Sequence, residues 1–171
     1  MNADQLREIQ APLKSQYKEE PDAAKIKLSA RGSLEGDGLT CRVETGKAMV
    51  EAGLHPATGG SGMEACSGDM LLEALVACAG VTLRAVATSI GVEVRGGTVS
   101  AEAVLDVRGT LAVDKTAPVG FEHIDLRFDL DTDADGEQLA TLLKLTERYC
   151  VIYQTLRNVP SIAVSHRSNG G

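Results

Sequence analysis

The residues of this chain best suited to chemistry are its four cysteines, Cys41, Cys66, Cys78 and Cys150. A cysteine can serve as a thiolate nucleophile, as half of a redox pair, as a metal ligand, or simply as a small buried hydrophobe. None of the four is paired at the close spacing of a zinc ligand set, and no CxxC redox motif is present. Metal binding is therefore not expected. Cys78 and Cys150 stand 72 positions apart, so any encounter between them is a product of the fold. For an isolated cysteine on an apolar helix, packing is the ordinary role. His55, His123 and His166 are scattered singly and read as surface or turn residues. The run Gly59-Gly60-Ser61-Gly62 lacks the Lys-Ser/Thr of a phosphate-binding loop, and no nucleotide cofactor is implied.

Several elements have to position these thiols. From Asp69 to Ile90, apolar residues including Leu71, Leu75, Val76, Leu83 and Val86 surround Cys78 on nearly every face of a helix, and Gly91 sits where a C-cap belongs. This predicts a central, buried helix. A second helix opening near Asp133 or Asp135 carries Leu139, Leu142, Leu143, Thr146 and Cys150 on one face and is expected to run on toward Tyr153. Residues 1–22 form a helical lead, with Leu6, Ile9 and Leu13 at helical spacing and Pro12 expected to bend or split it. Lys25–Leu28 and Leu39–Val43 flank Gly36-Asp37-Gly38 and predict a β-hairpin. His55–Gly68 is a glycine-rich loop containing Cys66, which could add an extra thiol near the same pocket or be a plain loop residue; Cys41 reads as strand packing. Val92–Leu111 and Phe121–Leu130 read as strands, the second alternating Ile124, Leu126, Phe128 and Leu130 with Asp125, Arg127 and Asp129. Pro160–His166 reads as a last strand, and 168–171 as a polar tail. One domain, 23–167, of the α+β class follows.

Composition narrows the function classes. A net charge of −7 and a near absence of aromatic residues, 3% with no Trp, disfavour nucleic acid, whose phosphates would be repelled and whose bases would find little to stack on. No uninterrupted apolar run approaches the ~18 residues of a membrane span, and the first residues lack the basic and apolar regions of a signal peptide. The chain is expected to be cytoplasmic, where a disulfide would be transient and catalytic rather than structural.

Ser67-Gly68-Asp69-Met70-Leu71-Leu72-Glu73-Ala74-Leu75-Val76-Ala77-Cys78-Ala79-Gly80-Val81-Thr82-Leu83 resembles the central helix of the OsmC/Ohr superfamily, where a P-x-x-L-L-x-A-L-x-A-C stretch presents a reactive cysteine. Ala140–Leu156, centred on Glu147-Arg148-Tyr149-Cys150-Val151, is similar to the second helix, which carries that family's resolving cysteine. The order of elements from about Lys25 to His166 fits as well. The resemblance implies an OsmC-like fold, with antiparallel sheets wrapping two long central helices in an intertwined homodimer. It implies a thiol peroxidase acting on organic hydroperoxides, with Cys78 attacking, Cys150 resolving, and a dithiol of lipoyl type as reductant. In that family an arginine from the N-terminal hairpin stabilises the thiolate and a Glu before the helix holds the arginine. Arg31 is the preferred match, with Arg42 the other candidate. The family's Pro-Glu pair aligns with Ser67-Gly68, so the carboxylate is missing there, and Asp69 or Glu64 are the substitutes at hand. Glu73 is read as an exposed or interface charge. The missing Glu keeps a second function in view, a non-enzymatic member that binds a small apolar ligand or senses oxidants.

Overall fold

The computed structural model describes residues 2–19, 31–33, 40–45, 48–112 and 114–167. The chain enters on helix α1 (Ala3–Glu19). It continues through strands β1 (Arg31–Ser33), β2 (Thr40–Thr45) and β3 (Ala48–Gly53). A 3₁₀ turn (Pro56–Thr58) and the two-residue strand β4 (Ala65–Cys66) lead into α2 (Ser67–Ile90). β5 (Gly96–Leu105), a helical turn α3 (Val107–Thr110) and β6 (Phe121–Asp131) follow. The ordered elements end with α4 (Gly136–Tyr149) and α5 (Val151–Arg157).

Among the described residues two sheets result, one in the order β1-β2-β3-β4 and the other the hairpin β5-β6. All pairings are antiparallel except β3 with β4. The alternation in β6 does what a half-wet strand requires: Ile124, Leu126, Phe128 and Leu130 are half-buried while Asp125, Arg127 and Asp129 are exposed. Helix α2 starts directly at Ser67 and stops at Gly91, whose positive φ of 74° a residue with a Cβ adopts only with strain. Helix α4 opens on a capping box, with Asp135 accepting the Gln138 N–H at 2.8 Å and Gln138 Oε1 accepting the Asp135 N–H at 3.0 Å.

The core lies where α2 meets α4 and the hairpin: Leu83, Val86 and Ala87 of α2, Val92, and Leu142 of α4, flanked by Phe128 and Leu130. Helix α2 is thus buried along one stripe rather than all round. Its other side stays open, with Val81 72% and Leu71 38% exposed. By length and composition α2 is able to cross a membrane; in this chain its buried stripe is taken up by α4 and β5-β6.

Three further expectations are corrected. Helix α1 runs as one element through Pro12, which removes one backbone hydrogen bond on an exposed helix without dividing it. The second long helix does not pass through Cys150, which has an extended ψ of 110° and separates α4 from α5. Pro160–His166 is exposed and joins no ladder among the described residues, so the strand expected there does not form within them. Strand β2 pairs antiparallel with β3 and takes β1 on its other edge; Lys25–Leu28 and Gly36-Asp37-Gly38, on which the hairpin expected with Leu39–Val43 rests, and the polar tail 168–171 lie outside the described residues.

Candidate functional site

Cys78 occupies the middle of α2 and Cys150 the break between α4 and α5. Packing α4 and α5 against α2 brings the two thiols near enough to influence each other's ionisation despite their separation along the chain. Both thiols are free; Cys78 is half-buried, and Cys150 is buried with 1% of its surface exposed.

Their environments push them in opposite directions. Burial opposes ionisation of Cys78, but the nearby N–H groups of Ile152 and Val151, the Cys150 thiol and the Thr82 hydroxyl favour its thiolate and together hold its pKa below the ordinary 9.0. Burial raises Cys150; the contact with Cys78 adds to that, since a neighbouring thiolate disfavours a second negative charge, and the Tyr153 and Ile152 N–H groups only partly offset it. As pH rises, Cys78 ionises first while Cys150 keeps its proton and donates it. One sulfur is prepared as a nucleophile, the other as a neutral donor beside it.

Among the other residues singled out from the sequence, Arg31 is placed by its backbone at the start of β1, opposite Glu44, and Arg42 in β2, opposite Ser33 and Glu51. Asp69 is exposed in the first turn of α2. It precedes Cys78 by nine residues, which at 100° and ~1.5 Å per residue puts it about 13 Å away along the axis and on the opposite face. The structure does not bring Asp69 to Cys78. Glu64 accepts the Ser61 hydroxyl and packs over Gly53, where an added Cβ would meet its Cβ at 2.8 Å. Cys66 is the N-cap residue of α2, twelve residues and about 18 Å of helix from Cys78. Its sulfur lies near Gly68, where an added Cβ would also meet the Phe121 ring at 3.2 Å. Cys66 is therefore not part of this site. Glu73 is exposed, and Cys41 lies in β2 opposite Ala52. His55 accepts the Ala57 N–H at 3.1 Å, His123 sits 3.1 Å from Asp125 on the surface, and His166 is exposed. Among the described residues no group of three or more His, Cys, Asp or Glu is placed to hold a metal.

Sequence reasoning missed Thr82 and the amides of Val151 and Ile152 as parts of the site. Thr82 had a usable signal, since a hydroxyl four residues after Cys78 shares its helix face. The amides had none, because no Gly or Pro marks the break that frees them.

An open cleft of about 630 Å³ runs along α2 from Val81 and Thr82 to Ile90, lined by neither cysteine. Val81 and Ala85 of α2 form its floor, with Tyr149 of α4 and Leu6 and Gln10 of α1 also at its walls. Its size and mostly aliphatic surface suit the body of a small apolar molecule.

No curated protein matches the sequence. Among solved structures, an OsmC-like protein from Mycoplasma pneumoniae superposes with a TM-score of 0.66 at 13% identity, covering 79% of this chain and 90% of that one. A Legionella pneumophila protein described as an organic hydroperoxide resistance protein OsmC, predicted redox protein, gives 0.62 at 17% identity over 79% and 92%. An organic hydroperoxide resistance protein from Elizabethkingia anophelis gives 0.62 at 16% over 80% and 91%. The family model for OsmC-like protein matches residues 59–165.

Proposed function

Because the chain belongs to the OsmC-like protein family, within the OsmC/Ohr superfamily, we propose that it is a thiol peroxidase that reduces organic hydroperoxides. The observation that carries this reading is the nearness of a thiol favoured as thiolate, Cys78, to a thiol kept protonated, Cys150. The Cys78 thiolate attacks the terminal oxygen of the hydroperoxide. An S–O bond forms, the O–O bond breaks, and the alkoxide leaves as the alcohol on taking up a proton. Cys78, oxidised by two electrons, is then a sulfenic acid. The Cys150 sulfur attacks it, the S–S bond forms, and the oxygen departs as water. An external dithiol, for which a lipoyl group is the candidate, returns two electrons and two protons to reopen the disulfide. The aliphatic cleft beginning at Thr82 supports alkyl or lipid-like hydroperoxides as substrates. We place this cycle in the cytoplasm, where dithiol reductants operate.

The test is thiol titration of the reduced protein with one equivalent of cumene hydroperoxide. Rapid loss of two thiols per chain, with a Cys78–Cys150 disulfide recovered in peptide mapping, is expected. Slow loss would move the protein to the other reading, a ligand binder or oxidant sensor.

The open apolar face of α2 supports a homodimer in which a second copy covers that face. Val81→Asp sets a charge in its middle and is expected to give a folded monomer by light scattering, where the unmodified chain runs as a dimer. An unmodified chain that is already monomeric would remove the dimer from the scheme.

A further inference from the structure

The segment from Gly136 to Arg157 contains no Gly or Pro after its first residue, so nothing in its local preferences stops a helix at Cys150. Were the helix unbroken, the Glu147 carbonyl would accept the N–H of Val151, four residues on. It accepts instead from the side chain of Gln154, Nε2 to O at 2.7 Å. The carboxamide is held in that orientation from its other end, where Asn158 Nδ2 donates to Gln154 Oε1 at 3.0 Å. A second tie spans the same gap: the Tyr153 hydroxyl donates to Glu147 Oε2 at 2.9 Å and accepts from Arg157 Nη1 at 3.2 Å. The helical bonds resume immediately on either side, with Cys150 N–H to Thr146 O and Gln154 N–H to Cys150 O, both at 2.9 Å. Cys150 is thus the single non-helical residue between α4 and α5; three helical bonds are interrupted there, those of the Val151, Ile152 and Tyr153 N–H groups, and side chains bridge the gap. The break releases the Val151 N–H at the start of α5, which packs against α2, and this N–H is among the nearby groups that favour the Cys78 thiolate.

We propose that Gln154 is a positioning residue: its carboxamide occupies the Glu147 carbonyl in place of Val151, which holds the helix open at Cys150 and leaves the Val151 and Ile152 N–H groups directed at the Cys78 sulfur. Gln154 touches neither substrate nor sulfur and acts through backbone amides. The role deepens the peroxidase reading, since it matters through the readiness of Cys78 to attack. The experiment needs no peroxide, so a protein devoid of peroxidase activity would still report on it.

The reduced full-length protein is alkylated with iodoacetamide across pH, and modification of the Cys78 peptide is followed by mass spectrometry. Gln154→Leu removes the donor and Gln154→Glu removes it while keeping shape, so at least one is expected to fold. In either variant the midpoint for Cys78 is expected to rise by about one pH unit, a roughly tenfold loss of reactivity at neutral pH. Asn158→Ala, which only loosens the carboxamide, is expected to give a smaller rise. A midpoint equal to that of the unmodified protein in Gln154→Leu and Gln154→Glu overturns the proposal, whatever happens to their thermal midpoints, because a purely structural role would change melting and leave the titration in place.

Discussion

Replacing Cys78 with serine abolishes hydroperoxide turnover, with an expected loss on the order of 10³-fold or more, the scale seen when a catalytic nucleophile is removed. The reason is chemical rather than structural. Serine retains a hydrogen-bonding group of similar shape in the half-buried space between Thr82, Cys150 and the Val151 and Ile152 amides, so the fold should survive. An alcohol, however, does not ionise near neutral pH and does not accept an oxygen atom from a peroxide as sulfur does. The measurement is initial rate with cumene hydroperoxide and a dithiol reductant, beside a melting curve. Turnover at the unmodified rate would transfer the chemistry away from Cys78, and Cys66, some 18 Å along the helix, would be the first residue to examine.

Cys150→Ser is expected to behave differently. The first oxidation proceeds, because the serine hydroxyl can donate to the Cys78 sulfur as the thiol does and the backbone amides remain in place. The cycle then halts, since no second sulfur is available to condense with the sulfenic acid. Further peroxide carries Cys78 up the oxidation ladder to the irreversible sulfinic acid. Stopped-flow traces should show one equivalent of peroxide consumed per chain and then a flat line, and intact-mass spectra should show one added oxygen and later two. Sustained turnover in this variant would mean that an external thiol resolves Cys78 and that the buried position of Cys150, 1% exposed, serves packing alone.

The sequence was most legible where local chemistry and tertiary packing ask for the same thing. Helix α2 announced itself through its apolar residues and Gly91, and β6 through its period of two. Asp135 marked the start of α4 as a helix cap should. The pairing of Cys78 with Cys150 was available only through family resemblance, because spacing along the chain carries no distance information across 72 residues. The Cys150 break was illegible for a physical reason: it is held by side-chain bonds from Tyr153 and Gln154 back to Glu147, which compensate a local preference for continuing the helix. Asp69 illustrates the opposite failure. Its nearness to Cys78 in sequence suggested a shared role, but nine residues of helix amount to half a turn beyond two full turns, and the two side chains face apart.

The way α2 is covered also constrains how the chain can be made. Its buried stripe is matched by Val92, Phe128, Leu130 and Leu142, all of which follow it in the sequence. A ribosome adding ~5–20 residues per second needs several seconds to travel from Val86 to Leu142. For that interval the nascent chain carries a 24-residue helix with the length and apolarity of a membrane segment and without the partners that bury it. Until α4 arrives the apolar stripe of α2 has no partner from its own chain, and fast synthesis is therefore expected to favour aggregation over yield.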